Sequence, residues 1–191
     1  MTTVSSNEPK RLHPHKFTLW VAMGSICMMF AGLTSAYIVK RNQANWLEFA
    51  LPKSFYYSTA AIMLSSATMY IALKAFKARE RSRYKNFIAL TAVLGVLFGV
   101  LQTLGFNELT SQGIKLLGFG SNAAASFLVP IIGLHMLHVA GGIIALLVTL
   151  FRAFGRKIKS YNTTPIEIVA TYWHFVDLLW IYLFIFLAWI K

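Results

Sequence analysis

Five side chains in this 191-residue sequence pair ionisable chemistry with an apolar setting: His135, His138, Glu167, His174 and Asp177. His135 and His138 are three apart, as are His174 and Asp177, so each pair lies on one face if its segment is helical. Glu167 stands two turns before His174 on that same face, with Thr171 between them. Four uses are open to such a set. Two histidines on separate helices could ligate a b-type haem, His135 or His138 from one and His174 from the other. Histidines with carboxylates could hold iron or zinc, although neither Glu-x-x-His nor His-Glu-x-x-His occurs. A Glu, His and Asp line could pass protons along one helix. The fourth use is an interhelical polar clamp with no turnover, each ionisable group held by a neighbour because burial in hydrocarbon is costly.

The elements that position these residues follow from composition. The chain is 57% apolar and 13% charged, against about 45 to 50% and about 25% in soluble domains. Lipid is therefore its solvent, and a soluble enzyme or a nucleic-acid module is excluded. The net charge of +12 then reports orientation rather than a nucleic-acid partner. Five stretches reach the roughly 20 residues that cross about 30 Å of hydrocarbon: 17–39, 55–75, 87–106, 123–151 and 168–190. Open strands cannot satisfy their backbone in lipid, so the fold class is all-α. The expected organisation is a polar N-terminal tail over 1–16 and one domain of five transmembrane helices over 17–191. The first stretch is too long for a signal core and lacks a small-residue cleavage site, so it reads as a permanent helix.

Thirteen of the 18 Lys and Arg fall in the tail and in the second and fourth connections, chief among them Lys74, Lys77, Arg79, Arg81, Arg83 and Lys85. The positive-inside rule puts these segments, and the N-terminus, in the cytoplasm. Five crossings then carry the C-terminus to the periplasmic side. The block Lys74 to Asn86 reads as a solvated loop that sets topology. Cys27 cannot form an internal disulfide and is expected to be a buried apolar filler.

Close helix packing is suggested by Gly95 with Gly99, and by Gly32 with Ala36. Ser58, Thr59, Ser65, Ser66 and Thr68 should bond their own backbone or a neighbouring helix. At about 1.5 Å per residue, Asp177 lies roughly 15 Å and His138 roughly 20 Å from the cytoplasmic edge. An interhelical Asp177 to His138 hydrogen bond is thus within reach.

The segment Glu167-Ile-Val-Ala-Thr-Tyr172-Trp173-His174-Phe175-Val176-Asp177-Leu178-Leu179-Trp180 resembles the last helix of subunit III of the haem-copper cytochrome c oxidases. That family carries a Glu, then Tyr-Trp-His-Phe-Val-Asp, then a Trp. Gly133-Leu134-His135-Met136-Leu137-His138-Val139 resembles its Gly-Phe-His-Gly-Leu-His-Val, and Phe30-Ala31-Gly32-Leu33-Thr34-Ser35-Ala36-Tyr37 its Phe-Gly-Gly-Leu-Phe-Ala-Ala-Tyr. Gln102 falls where the family often has Gln. The resemblance covers all five spans and matches the shorter bacterial form. One position departs: Ile26, in Ser25-Ile26-Cys27-Met28-Met29-Phe30, stands where the family usually has Glu. Any role of that acid is lost here.

The resemblance implies an accessory, non-catalytic subunit of the bacterial cytoplasmic membrane. The oxidase passes electrons to O2, forms water and pumps protons, with haem and copper held in subunits I and II. Subunit III carries no redox centre, flanks subunit I, supports sustained turnover and binds phospholipid; a larger respiratory supercomplex is a further partner that it implies. Tyr172, Trp173, Phe175 and Trp180 are the family-motif residues. His135, His138, Glu167, His174 and Asp177 then read as the structural clamp, with no catalytic, cofactor or metal site in this chain. Three intramembrane histidines and one cysteine are too few for a haem and copper ligand set. The alternatives carried forward are a haem-bearing, quinone-reactive anchor, and subunit III of a quinol oxidase or of a relative associated with nitric oxide reductase.

Overall fold

Each apolar stretch continues as helix beyond the part that hydrocarbon requires. In a computed structural model, residues 14–41, 51–111, 123–155 and 163–189 are described. They form α1 (Pro14–Arg41), α2 (Lys53–Lys77), α3 (Arg81–Ser111), α4 (Ala123–Phe154) and α5 (Thr164–Trp189). All five are long and apolar enough to cross a membrane. The tail as far as residue 13, the connections 42–50, 112–122 and 156–162, and residues 190–191 lie outside the described residues.

Neighbour relations define the architecture. α2 packs on α3, α3 on α4, α4 on α5 and α5 back on α2, which closes a four-helix ring. α1 sits outside that ring, against α4 and α5. Fully buried rings of Phe55, Phe98, Trp173 and Trp180 fill the ring's interior, and α1 contributes the buried rings of Phe30 and Tyr37.

α3 begins earlier than polarity suggests, because Arg81 to Asn86 are helical rather than part of a loop. Only Ala78, Arg79 and Glu80 link α2 to α3. The Glu80 amide donates to the Ala75 carbonyl and the Arg79 amide to the Phe76 carbonyl, both at 3.0 Å. This is a Schellman closure, with Arg79 in the left-handed position at φ 59° that glycine usually takes. So tight a turn leaves the basic block to wind as helix, where its backbone is satisfied without water.

Two expectations change on the outer surface of α1. Cys27 is exposed rather than a buried filler. A Cβ on Gly32 would meet nothing within 4 Å, so this small-residue spacing mediates no close approach within the chain. α1 touches the ring along one narrow edge, and the faces bearing Cys27 and Gly32 turn away from it.

Candidate functional site

The polar interior is organised by α2, whose hydroxyls face α3 and α5. The Gln102 Nε2 amide donates to Ser58 Oγ at 2.9 Å. The Trp180 indole donates to Thr59 Oγ1 and the Trp173 indole to Ser65 Oγ, both at 3.0 Å. Ser66 Oγ pairs with His174 Nδ1 at 2.6 Å, and Thr68 with Thr91 at 2.9 Å. Trp173 and Trp180 stand seven apart on α5, and their acceptors stand six apart on the antiparallel α2. Two helices thus meet at the same level twice, and each indole N–H is satisfied where no water can reach it.

Close backbone approach seats the larger of these contacts. A Cβ on Gly95 of α3 would lie 2.7 Å from the Trp173 ring, and one on Gly142 of α4 would lie 2.9 Å from it. Real Cβ atoms do not come so near, so the two glycines make the slot for Trp173. Gly99 is roomier, with Met136 Cε 3.6 Å from its would-be Cβ.

The titratable residues divide among separate neighbourhoods. His135 is fully buried inside an aromatic box, with ring centroids of Trp180 at 5.2 Å, Phe98 at 6.1 Å and Phe30 at 6.4 Å. Neither of its ring nitrogens has a hydrogen-bond partner among the described residues. His138 donates from Nδ1 to the Leu134 carbonyl of its own helix at 2.7 Å and packs edge-on against Phe30 at 6.0 Å. Its backbone carbonyl accepts the Tyr172 hydroxyl at 3.1 Å. Glu167 takes Lys16 Nζ of α1 at 2.7 Å and Lys77 Nζ of α2 at 2.9 Å. One carboxylate therefore ties together the ends of three helices.

His174 and Asp177 share a groove of about 470 Å³ between α2 and α5, lined also by Met63, Ser66, Ala67, Tyr70, Leu178 and Ile181. Asp177 is only 3% exposed. Ser66 lies beside its carboxyl group, yet neither oxygen gains a hydrogen bond of good geometry among the described residues.

The structure therefore brings His135 and His138 together around Phe30, and His174 and Asp177 around the groove, while Glu167 stays at the end of the bundle. The Asp177 to His138 hydrogen bond within reach on depth alone is not formed. α5 is turned so that Tyr172 faces His138, which sends Asp177 toward α2. The pairing a haem would need is not assembled either. His174 turns to Ser66 of α2, whereas His135 and His138 turn to rings of α1, α3 and α5. No side-chain hydrogen bond links Glu167, Thr171, His174 and Asp177 in succession among the described residues; Thr171 Oγ1 bonds the Glu167 backbone carbonyl instead. Among those residues no group of three or more His, Cys, Asp or Glu could hold a metal ion.

Of the family-motif residues, Trp173 and Trp180 are the buried posts of α5, while Tyr172 and Phe175 pack against the core from partly buried positions. The α2 hydroxyls expected to bond their own backbone or a neighbouring helix do reach α3 and α5, but which partner each takes was not given by their spacing. Ser58 with Ser65, and Thr59 with Ser66, each repeat at seven, the same interval as the tryptophans opposite.

The family model described as cytochrome c oxidase subunit III matches residues 47–191. A Bacillus sp. (strain PS3) protein named cytochrome c oxidase subunit 3 is 28% identical over 86% of this chain and 80% of its own length. A probable cytochrome c oxidase subunit 3 of Nocardia farcinica is 31% identical over 95% of this chain and 94% of its own. A Pseudomonas aeruginosa protein named cytochrome bo(3) ubiquinol oxidase subunit 3 is 25% identical over 88% of this chain and 81% of its own.

Proposed function

The chain belongs to the cytochrome c oxidase subunit III family, and from that premise we propose that it is the non-catalytic third subunit of a proton-pumping haem-copper terminal oxidase in a bacterial cytoplasmic membrane. Haem and copper belong to subunits I and II. This chain lies beside subunit I, holds phospholipid against it and prolongs its turnover, with the N-terminus and the Lys74 to Lys85 block cytoplasmic and the C-terminus periplasmic. The clamp residues serve assembly: Glu167 ties α1 and α2 to α5, His135 and His138 hold the ring against Phe30, and His174 with Asp177 borders α2.

The observation that carries this reading is the dispersal of the titratable residues. A site that moved electrons would need ligands converging on one point, and here the histidines divide between two neighbourhoods, His135 and His138 around Phe30 and His174 beside Ser66. Ile26, half-buried against the core where the family usually has Glu, removes one more ionisable group from the bundle. The test is affinity purification of a tagged copy from native membranes. A large haem-bearing subunit should co-purify, and recovery of the chain without one would defeat the proposal.

A second reading is subunit III of a quinol oxidase, which the naming of the Pseudomonas aeruginosa relative supports. The purified complex distinguishes the two by whether it consumes O2 with reduced cytochrome c or with a quinol.

A further inference from the structure

One nitrogen of His174 opens onto the groove between α2 and α5. Its Nδ1 is paired with Ser66 Oγ at 2.6 Å, and Ser66 lies beside the Asp177 carboxyl group. Ser58, Thr59 and Thr68 each bond a carbonyl of their own helix, whereas Ser66 does not among the described residues. Its hydroxyl therefore has one hydrogen to give, and lone pairs to receive, within the set of His174, Ser66 and Asp177. His174 Nε2, on the far side of the ring, forms no hydrogen bond among the described residues, and unlike the Asp177 oxygens it is not sealed from the surface. His174 is partly exposed and lines the groove.

The set behind that nitrogen decides whether it gives or takes a hydrogen bond. No Lys or Arg lines the groove, and a net charge in hydrocarbon is costly. Two placements of the protons keep the set uncharged and spend every hydrogen inside it. In one, Asp177 gives its O–H to Ser66 and Ser66 gives its own to Nδ1. In the other, an imidazolium gives its Nδ1–H to Ser66 and Ser66 gives its hydrogen to a carboxylate. Both leave a hydrogen on Nε2, which is then a donor facing the groove.

Depth and size select what accepts it. Glu167, tied to Lys16 and Lys77, marks the end of the bundle, and His174 lies about 10 Å further along α5. The ester and phosphate oxygens of a phospholipid stay at the interface, and an acyl chain has no acceptor. Backbone carbonyls within another membrane helix are already bonded to their own helix. From Met63 to Tyr70 the groove runs about 10 Å along α2, which is short for a spanning helix. Its volume of about 470 Å³ falls within the range of about 300 to 1,000 Å³ for small-molecule sites. Met63, Ala67, Leu178 and Ile181 make its walls apolar. A quinone brings a carbonyl on a flat apolar ring, with a hydrocarbon tail that keeps it at this level.

We propose that the α2–α5 groove binds a lipid-soluble quinone, whose carbonyl oxygen accepts the His174 Nε2–H while the apolar walls hold its ring. Ser66 and Asp177 are positioning residues: they act through His174 by fixing the hydrogen on the nitrogen that faces the groove. Binding alone is assigned, with no electron transfer, and it does not depend on the chain being an oxidase subunit.

The experiment uses native membranes and a short-tailed benzoquinone that carries a photo-reactive azide. After irradiation, mass spectrometry of the chain should place the label within residues 63–70 or 174–181, the two walls of the groove. An excess of the azide-free quinone should lower that label at least about tenfold, and an alkylbenzene with the same tail and no carbonyl should lower it less than about twofold. Absence of label from the groove overturns the proposal. So does equal labelling at Met28 on the outward face of α1, which is 72% exposed, or equal competition by the two compounds.

Two variants locate the contact. Leu178→Trp fills the groove from a position 67% exposed, and His174→Phe removes the donor. Each should lower the competed label, per copy of chain in the membrane, at least about tenfold. Unchanged labelling in either variant overturns the site. Ser66→Ala should reduce the advantage of the quinone over the alkylbenzene at least about threefold while leaving competition by the alkylbenzene as it was. An undiminished advantage would remove the positioning role of Ser66 and Asp177.

Discussion

Helices α1 and α5 run parallel through the same thickness and are both apolar enough to cross it, yet 39% of the most apolar window of α5 is buried and only 17% of that of α1. α5 is wedged among α2, α4 and α1, with Trp173 and Trp180 locked by hydroxyls and glycines. α1 is held along one edge, where Ile26, Met29 and Leu33 pack against the core and Lys16 meets Glu167, Phe30 meets His135 and His138, Thr34 meets Tyr182 and Tyr37 meets Phe186. Apolarity decides that a segment enters the membrane. What it packs against is decided by small residues that admit a ring and by polar groups that must be satisfied. α1 therefore offers much of its length to lipid or to another subunit, and α5 offers little.

The largest expected effect comes from removing a post of α5. Trp173→Ala empties a slot built by Gly95 and Gly142 and leaves the Ser65 hydroxyl without its donor. The loss should be about 3 to 5 kcal/mol, read as a fall in the thermal midpoint of the detergent-solubilised subunit and in its accumulation in membranes. Trp20→Ala on α1 is the matched control, because Trp20 is 63% exposed. It should leave the fold of the subunit almost unchanged. Similar losses from both would end the contrast between the two helices.

Added bulk sharpens the same contrast with a smaller effect. Gly95→Val drives a branched side chain into the Trp173 ring and should cost about 1 to 3 kcal/mol. Gly32→Val points into open space and should be tolerated by the isolated subunit. Thermal midpoints of the two variants, measured side by side, decide the matter. If Gly32→Val proves the more damaging, α1 packs within this chain more tightly than its exposure indicates.

Much of this was legible in the residues themselves. Five spans and an all-helical bundle follow from hydrophobic length, since lipid leaves the backbone no other way to satisfy itself. Gly95 could be singled out because small-residue spacing marks close approach, but the same spacing at Gly32 and Ala36 had no such role, and Gly142 gave no spacing signal although it builds half of the Trp173 slot. The difference lies in which large side chain stands opposite, and that is a property of two helices rather than one. Rotation of α5 was hidden for the same reason. Depth alone allowed Asp177 to reach His138, but the indole bonds to α2 fix the turn of the helix and carry Asp177 to the groove. Cys27 reads as a filler by its apolar neighbours, but in a membrane an apolar run has an outside as well as an inside.

The smallest effects test whether hydrogen bonding follows the same division. Ser65→Ala removes the acceptor of a fully buried indole N–H, and no water can replace it. Interhelical bonds in membranes average about 0.6 kcal/mol and reach about 1.7, and this one should fall in the upper part of that range because its donor is left stranded. Thr34→Val removes the contact between α1 and the Tyr182 hydroxyl at 3.0 Å. Tyr182 is 44% exposed, so its ring can turn out of the bundle rather than stay buried without a partner, and the other bonds of Thr34, to the Phe30 and Ala31 carbonyls, stay within its own helix. Its loss should cost less than about 0.6 kcal/mol. Unfolding of both variants under the same detergent and temperature ramp gives the order directly. A larger cost at Thr34 would mean that α1 is bonded into the bundle as firmly as α5.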